Sequence, residues 1–329
     1  LLARRSRRAR AIRWLGGGMA AAAVIVAVLM MARPDSTLRQ EPVVEMAGLS
    51  RIAPGEVKAT LSDESGRAVE ITSESASRLV TPDGTVLVND SLGGLRYDRS
   101  GTADEVARTQ TLTVPVGGEY RFTLADGSQV WVNSASEVRF PTRFTGDSRE
   151  IYMSGEIYIE VARDEARPFI VHAGDKSVRV LGTKFNLTAY PDENEVVTTL
   201  VEGSVEFCDG DKCVPVRPGE QVVLDETTGR METREVDVSL YTSWASGTFE
   251  YEQMELEAIA RQLTRWYDVR FEFDAPEFRD HPFTGVVKRS QTLDEVLRLI
   301  EKTTNVSFEI VDRTVHVKRT EDAGTISRP

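Results

Sequence analysis

Apolar side chains recur at every second position in the middle of the chain, between residues 155 and 207. Ile157, Ile159 and Val161 form one such run, and a period of two is typical of a β-strand rather than a helix. Turn-forming residues, such as the Pro-Asp-Glu-Asn cluster at 191–194, separate one run from the next. This part of the chain is therefore predicted to be a succession of short strands.

Three segments before this stretch have the pattern of β-hairpins. In each segment two runs of β-forming residues flank a glycine-containing turn, which is the strongest short-range signal for a hairpin. The segments are 60–71, 79–89 and 122–133, with turns at Ser65-Gly66, Asp83-Gly84 and Asp126-Gly127. Because no helical period interrupts residues 56–236, we predict an all-β domain there, a sandwich or a solenoid-like winding.

The period changes after residue 247. Leu256, Ile259 and Leu263 fall on one face of a predicted helix, together with Ala260, Trp266 and Tyr267. The same pattern returns 37 residues later, so that Leu293 corresponds to Leu256. Residues 248–319 are therefore predicted to form a small α/β domain of two strand-helix-strand units, and the fold class of the whole chain is mainly β.

Local signals mark the ends of these two helices. Thr292 and Glu295 have the spacing of a capping box at the start of the second helix. Asp268 and Asn305 stand where each helix passes into a strand, and both residue types tolerate a left-handed backbone. We predict that conformation at both positions.

One segment near the N-terminus is apolar throughout. Residues 15–32 carry no charge and would span roughly 27 Å as a helix, about the thickness of a bilayer core. A cleaved signal peptide is the alternative, but the run exceeds the usual apolar core of such peptides and Met30 is a poor residue at a cleavage site. Arginines precede the segment, so the positive-inside rule places the N-terminus in the cytoplasm and the body outside it.

The charge distribution separates this N-terminal region from the rest of the chain. Residues 1–33 hold seven of the 40 basic residues and none of the 52 acidic ones, which leaves a net charge of −19 on the remainder. Such an acidic body is a poor binder of nucleic acid, because phosphate contacts need clustered Lys and Arg. The predicted organisation is a basic cytoplasmic segment (1–14), a transmembrane helix (15–32), a stalk (33–55), the all-β domain (56–236), a linker (237–247), the α/β domain (248–319) and a disordered tail (320–329).

Several motifs in this order resemble the FecR family of transmembrane anti-sigma factors. They are the segment at 112–144, GEIYIEVA at 155–162, RPFIVHA at 167–173, LGTKFNLTAY at 181–190, LVEGSVEF at 200–207 and PGEQ at 218–221. The C-terminal region resembles the short N-terminal signalling domain of secretins and TonB-dependent receptors. The resemblance covers most of residues 55–320.

The resemblance implies a single-pass regulator in the bacterial inner membrane. Its periplasmic part would receive a signal from an outer-membrane TonB-dependent transducer, and its cytoplasmic part would hold an extracytoplasmic-function sigma factor. We expect the C-terminal domain to dock the transducer, by adding to a sheet edge, and a periplasmic protease to cut the stalk. No enzyme activity, cofactor or nucleic-acid partner is expected.

A second function class stays open at this point. The basic segment 1–14 is shorter than the sigma-binding region of family members. A membrane-anchored envelope binding or scaffolding module without cytoplasmic output is therefore the alternative prediction. A sigma-factor gene beside this one would favour regulation.

Cys208 and Cys213 flank a four-residue turn between two strand runs. If a hairpin closes there, their Cβ atoms can face each other, and an exported compartment permits oxidation. We predict a disulfide, with reduced thiols as the alternative. Zinc is disfavoured because four ligands are needed and no other Cys or His lies nearby.

Gly182 and Thr183 carry a narrower hypothesis that comes from the resemblance. Some FecR-family members cleave themselves at a Gly-Thr bond in this motif, by attack of the Thr hydroxyl on the preceding carbonyl in a strained turn. The structural interpretation is that Gly182 relaxes a tight turn and Thr183 begins a strand. The structural interpretation is the one we favour.

The remaining chemistry-bearing residues do not form a pattern. His172, His281 and His316 are isolated and lack metal-ligand spacing, so no metal site is predicted. Glu156 and Glu160 lie on one side of a predicted strand, where we expect a solvated face rather than a pair of acid-base carboxylates.

Overall fold

The structure, a computed structural model, describes residues 52–73, 78–80, 86–89, 95–97 and 107–320. The predicted cytoplasmic segment, the apolar segment 15–32, nearly all of the stalk and residues 321–329 of the tail lie outside the described residues. Within the described ranges, no helix combines the length and hydropathy that crossing a bilayer requires.

Strands dominate the described part of the chain. Hydrogen bonds join 18 of its strands into one network: β1 (Glu56–Asp63), β2 (Ala68–Thr72), β3 (Arg78–Val80), β4 (Val86–Asn89), β5 (Leu95–Tyr97), β6 (Thr109–Val114), β7 (Gly118–Thr123), β8 (Gln129–Val132), β9 (Ser136–Pro141), β10 (Arg149–Glu160), β11 (Phe169–Ala173), β12 (Lys176–Val180), β13 (Lys184–Ala189), β14 (Glu195–Glu202), β15 (Val205–Asp209), β16 (Lys212–Val216), β17 (Glu220–Asp225) and β18 (Arg230–Glu235). The three predicted hairpins are confirmed as the pairs β1–β2, β3–β4 and β7–β8.

The long strand β10 belongs to two sheets. Its first half pairs with β9 and β11, and its second half pairs with β8 and β13. The change occurs at Gly155, whose φ of 99° lies in the left-handed region and whose missing Cβ leaves room for Ser136. A side chain at this position would lie 2.2 Å from the Ser136 hydroxyl oxygen, so glycine is required where the strand passes from one sheet to the other.

Successive hairpins after β10 alternate between these two sheets. The β11–β12 and β15–β16 hairpins pair with each other through β12 and β15, whereas the β13–β14 and β17–β18 hairpins pair through β14 and β17. Side chains from both sheets, such as Phe207 and Leu187, share one hydrophobic core. The architecture thus combines the two predicted possibilities, because two layers enclose a core while the chain winds regularly between them.

A second hydrophobic core lies in the C-terminal part of the chain. Its elements are α1 (Ser239–Thr242), a 3₁₀ turn (Ser243–Ser246), β19 (Thr248–Glu255), α2 (Leu256–Tyr267), β20 (Arg270–Phe273), a 3₁₀ turn (Pro276–Phe278), β21 (Pro282–Lys288), α3 (Leu293–Glu301), β22 (Val306–Val311) and β23 (Thr314–Arg319). We call residues 52–236 the β lobe and residues 237–320 the C-terminal lobe.

The strand-helix-strand order occurs twice in the C-terminal lobe, as β19-α2-β20 and β21-α3-β22. The first strands of the two copies pair with each other, and the second strands flank β23 on either side. The six apolar residues predicted to share one face of α2 are buried, as predicted. The capping box of Thr292 and Glu295 is confirmed, with the Thr292 N–H donating to Glu295 Oε2 at 3.1 Å.

Two local expectations about this lobe turn out differently. Asp268 has a φ of 53°, as predicted, but Asn305 is not left-handed, because α3 ends earlier and the hydroxyls of Thr303 and Thr304 donate to the carbonyl of Ile300. The predicted linker 237–247 contains α1 and a 3₁₀ turn, and its Trp244 is buried in the core of the C-terminal lobe. The domain limits themselves stay a prediction.

Candidate functional site

The two lobes meet at a polar contact centred on Arg289, which we call the junction. Arg289 follows β21 and is only 2% exposed. Its Nη2 donates to Oδ1 of Asn133 at 3.0 Å and forms an ion pair with Oε2 of Glu119 at 3.0 Å. A side chain of the C-terminal lobe is thus held by two polar residues of the β lobe.

Aromatic rings of the C-terminal lobe surround the guanidinium. Its central carbon lies 3.7 Å from the centre of the Trp266 ring and 4.7 Å from that of Phe249. Trp266 in turn donates its indole N–H to the carbonyl of Arg289 at 2.9 Å. Cation–π contacts of this kind gain strength when the cation is desolvated, so the rings offset part of the cost of burying Arg289.

Glu156 extends this network on the side of the β lobe. Its carboxylate accepts hydrogen bonds from Asn133 Nδ2 at 2.7 Å, Asn186 Nδ2 at 2.9 Å and Thr188 Oγ1 at 3.3 Å. Burial raises the pKa of Glu156, while the hydrogen bonds from Asn186 and Asn133 and the charge of Arg289 oppose that shift. The expectation of a solvated position is therefore wrong for Glu156, because the C-terminal lobe covers this face of the strand.

Two further contacts join the lobes beside this network. Trp244 donates its indole N–H to Oδ1 of Asn186 at 3.0 Å. The guanidinium of Arg265 lies 3.6 Å from the ring centre of Tyr190 and forms ion pairs with Glu193 at 2.5 Å and Asp192 at 2.9 Å. Arg265 and Trp244 belong to the C-terminal lobe, and their four partners belong to the β lobe.

The segment that precedes β1 passes along the junction. Ile52 is buried in the core of the C-terminal lobe, and its carbonyl accepts the backbone N–H of Leu293 at 3.1 Å. Gly55 packs against Trp266 so closely that a Cβ would lie 2.6 Å from the ring. Glu56 then donates its N–H to the carbonyl of Gly117 in the β lobe. The C-terminal lobe therefore clasps the chain where it enters the β lobe, and we call residues 52–55 the clasped segment.

The profile of the FecR protein family matches residues 110–206, and the profile described as FecR, C-terminal, matches residues 248–317. The first covers the sheets that hold Asn133 and Glu156, and the second covers the lobe that supplies Arg289. The chain belongs to the FecR family.

Solved structures agree with this assignment. Two crystal structures of a candidate anti-sigma factor from Parabacteroides distasonis ATCC 8503 are similar to this FecR-family chain. They share 27% and 28% sequence identity with it, each with a TM-score of 0.59, and the matches cover 64% and 65% of this chain and 99% and 100% of theirs. No curated protein sequence matches the chain. The family and these neighbours indicate a regulatory role connected with a sigma factor.

The structure places the predicted Gly182 and Thr183 away from the junction residues, immediately before β13. Thr183 is buried, and its hydroxyl donates to the carbonyl of Ser204 at 3.0 Å. A Cβ on Gly182 would lie 2.7 Å from the backbone of Arg163, and the φ of Gly182 is not in the left-handed region. Close packing alone therefore accounts for the glycine. Self-cleavage stays a hypothesis.

Cys208 and Cys213 lie opposite each other in the β15–β16 hairpin, and the structure joins them by a disulfide. The bond joins two residues that are five positions apart in the sequence, at the end of this hairpin. Its role is therefore local, and neither sulfur belongs to the junction.

The three histidines do not come together. His172 contacts Glu150 at 3.1 Å and stacks on Tyr152, and His316 contacts Glu272 at 3.5 Å. Within the described ranges, no three side chains of metal-ligand type converge. Sequence reasoning found neither Arg289 nor Asn133, because no periodicity or spacing connects two polar residues so far apart in the chain.

Proposed function

We propose that this FecR-family protein is an inner-membrane regulator that carries a signal from an outer-membrane TonB-dependent transducer to an extracytoplasmic-function sigma factor. The family match and the anti-sigma-factor neighbours support the regulatory part of this proposal. The clasped segment supports the signalling route, because the C-terminal lobe binds the last residues of the predicted stalk.

In this proposal residues 15–32 cross the inner membrane and residues 1–14 lie in the cytoplasm. The apolar length, the preceding arginines and the acidic remainder of the chain support this orientation. A reporter enzyme that works only in the periplasm, fused after Pro329, should be active in whole cells. Activity of a cytoplasm-only reporter at the same position would instead contradict the periplasmic location.

The signal would be transmitted through the junction. A transducer that docks on the C-terminal lobe would compete with its contacts to Ile52 and Gly55. Release of these contacts would give a periplasmic protease access to the stalk, and cleavage there would free the sigma factor. Transducer binding and release of the clasped segment would be coupled, because the bound and the released segment differ in their contacts with the C-terminal lobe, to which the transducer would bind.

Deletion of the gene in its own host tests the regulatory role. We expect a defined set of promoters dependent on one sigma factor to change in activity, and the unaltered full chain to restore them. Gly55→Ala should behave like a permanent signal, because its Cβ would clash with Trp266. Gly146→Ala is the matched control, because its Cβ would meet nothing closer than 3.7 Å.

Transcription that is unchanged by the deletion would refute the regulatory role. The envelope scaffolding function would then explain the chain better, since that function has no cytoplasmic output. A deletion effect that Gly55→Ala reproduces in full-length, membrane-located protein would support both the role and the route through the clasped segment.

A further inference from the structure

The strand β21 lies at a free edge of its sheet. It pairs with β19 on one side, and on the other side no strand of the described ranges pairs with it. Four of its seven residues are exposed, and Val286 is 62% exposed, more than any other large apolar residue in the described part of the chain. A strand edge with unpaired backbone groups is a template for pairing with another strand.

Hydrogen bonds at the end of β21 show which backbone groups face this edge. Arg289, the residue after the strand, donates its N–H to the chain that leads into β19. The N–H of Lys288 instead donates to Oε1 of Gln291 at 3.0 Å, away from β19. Because successive residues of an antiparallel strand direct their backbone groups to opposite sides, Thr284 and Val286 face the same way as Lys288. The N–H and C=O groups of these two residues therefore form the free edge.

The free edge lacks the features that prevent strands from pairing. Natural edge strands are commonly protected by charged side chains or by a proline inside the strand. The edge strand β18 carries four charged residues among its six, and the edge strand β16 has Pro215 inside it. In β21 the proline and the only charged residue, Pro282 and Lys288, stand at the two ends. Its centre is therefore open to pairing.

A second copy of this chain matches the free edge. In an antiparallel pair with a twofold axis through the middle of β21, Thr284 of each copy lies opposite Val286 of the other. Each free N–H of one copy then meets a free C=O of the other. A register with Val286 opposite itself would need the N–H of Lys288, which Gln291 already accepts. A register with Thr284 opposite itself would need an N–H from Pro282, which has none.

Charges on the same face of the sheet agree with this register. It places Lys288 beside Pro282 of the second copy, and the neighbour of Pro282 in β19 is Glu255. Strands of a sheet are about 4.8 Å apart, so Lys288 and Glu255 of the other copy are separated by about 9.6 Å, which the two extended side chains span. Both residues are exposed, and neither forms an ion pair within the described ranges. The second copy would supply each with a partner of opposite charge.

We propose that two copies of this chain pair through β21, so that their two-stranded sheets join in the order β19-β21-β21-β19. One strand from each copy buries little area, so the dimer is weak in dilute solution and stronger where both chains are tethered to one surface. Dimerisation goes beyond the proposed signalling role and does not depend on it. A transducer strand that added to the same edge would compete with the second copy.

Disulfide formation in the purified full chain tests the register. The two native cysteines are joined to each other, so an introduced cysteine is the free one. In the proposed register a Thr284→Cys chain and a Val286→Cys chain bring their Cα atoms to about 5.5 Å, within disulfide range, whereas two copies of one variant are roughly 9 Å apart, which is too far. After mild oxidation we expect the mixture to give at least fivefold more linked dimer than either variant alone.

Charge reversal distinguishes a second copy from another strand. Lys288→Glu should weaken dimerisation at least fivefold in sedimentation equilibrium, because it faces Glu255 of the other copy, and Glu255→Lys in the same chain should restore the dimer. Val286→Lys places a charge in the middle of the free edge and should weaken dimerisation at least tenfold. Val311→Lys is the matched control at another exposed valine of the C-terminal lobe, and it should leave dimerisation unchanged.

Several outcomes would overturn the proposal. A chain that stays monomeric at every concentration would leave the free edge of β21 to a strand of a different protein. Equal linking in the mixed and the single cysteine samples would exclude the register. Equal effects of Val286→Lys and Val311→Lys, or no restoration by Glu255→Lys, would show that a dimer forms through another surface. None of these outcomes depends on sigma-factor release.

Discussion

Arg289 Nη2 donates to Oδ1 of Asn133 across 156 positions of sequence. The first residue follows a strand of the C-terminal lobe, and the second follows a strand of the β lobe. Asn133 also donates from Nδ2 to Glu156, so one amide joins a buried cation to a buried carboxyl. A change in the protonation of Glu156, or in the position of Arg289, therefore affects the hydrogen bonds of both lobes at the junction.

The loss of the Arg289 side chain should loosen the junction. Arg289→Ala removes an ion pair with Glu119 and a stacking contact with Trp266, and we expect the free energy of unfolding to fall by about 2 kcal/mol. Chemical denaturation of the full chain measures this change. Arg279→Ala is the matched control, because Arg279 also pairs with a carboxylate, that of Glu257, but lies exposed.

The control should change stability by less than about 0.5 kcal/mol, which is typical of an exposed ion pair. Equal effects of the two substitutions would mean that burial gives Arg289 no special role. If the free energy of unfolding of Arg289→Ala lay within about 0.5 kcal/mol of that of the unaltered protein, this result would also contradict a stabilising role of the junction.

Glu156 should make stability depend on pH. Because burial raises its pKa in the folded state above 4.5, the folded state binds the proton more tightly than the unfolded state. The contribution of protonated Glu156 to the free energy of unfolding is therefore fully present below pH 4.5 and is lost as pH rises through the pKa of the folded state. Glu156→Gln cannot ionise, so the unaltered protein should lose stability relative to this variant as pH rises from 4.5 toward 7.

Denaturation midpoints at a series of pH values give this difference. Thr188→Val is the control, because it removes one hydrogen bond to Glu156 but leaves the ionisable carboxyl in place. The Thr188 hydrogen bond opposes the rise in the pKa of Glu156, so Thr188→Val should still lose stability as pH rises, and by at least as much as the unaltered protein. A constant difference between Glu156→Gln and the unaltered protein across the range would show that Glu156 does not titrate in this way.

The clasped segment gives a prediction for proteolysis. Gly55→Ala places a Cβ 2.6 Å from the Trp266 ring and 2.9 Å from the carbonyl oxygen of Gly117. Overpacking of this kind costs about 1–3 kcal/mol, which corresponds to roughly a 5- to 150-fold higher population of the released segment. Limited digestion with trypsin should therefore cut after Arg51 at least about fivefold faster than in Gly146→Ala or the unaltered chain, because the rate of cutting follows the population of the released segment. Equal cutting rates would contradict the clasp.

Local patterns in the sequence predict the elements well but not the junction. The alternation through Ile157 and Ile159 predicts strands, and the spacing of Leu256, Ile259 and Leu263 predicts α2, because each pattern reflects burial on one face of one element. Glu156 stands on the opposite face of its strand and has the same pattern as a solvated residue. Only the three-dimensional arrangement reveals that another lobe covers it.

Arg289 was missed for a related reason. A single arginine after a strand is usually exposed, and its burial depends on Trp266, Phe249 and Asn133, which come from three separate elements. Local patterns in the sequence also could not predict that hairpins alternate between two sheets, because this arrangement depends on pairings between strands that are not consecutive, such as β12 with β15.

Reduction of the disulfide should weaken the β lobe only modestly. The bond between Cys208 and Cys213 closes a short loop, so the chain-entropy account gives about 2 kcal/mol of stabilisation. Denaturation with and without a reductant measures this difference. The double variant Cys208→Ser with Cys213→Ser should match the reduced protein and should not respond to reductant. A response of the double variant, or no response of the unaltered protein, would contradict a disulfide at these positions.

The bond between Gly182 and Thr183 should stay intact in the purified chain. Nucleophilic attack needs a base to take the Thr183 proton, but the hydroxyl donates to a peptide carbonyl, that of Ser204, which is not a base. Gly203 also packs against the Gly182 carbonyl, since a Cβ there would lie 2.9 Å from its oxygen. Intact mass spectrometry after prolonged incubation should therefore give one species of full length.

Thr183→Ala separates the structural function of this hydroxyl from a chemical one. The substitution removes a buried hydrogen bond and should lower the free energy of unfolding by about 1 kcal/mol, without any change in the pattern of masses. Two fragments that meet between residues 182 and 183 in the unaltered chain, but not in Thr183→Ala, would contradict this prediction. In that case the hydroxyl must leave Ser204 before the reaction, and the contact seen here would be the resting arrangement of a reactive site.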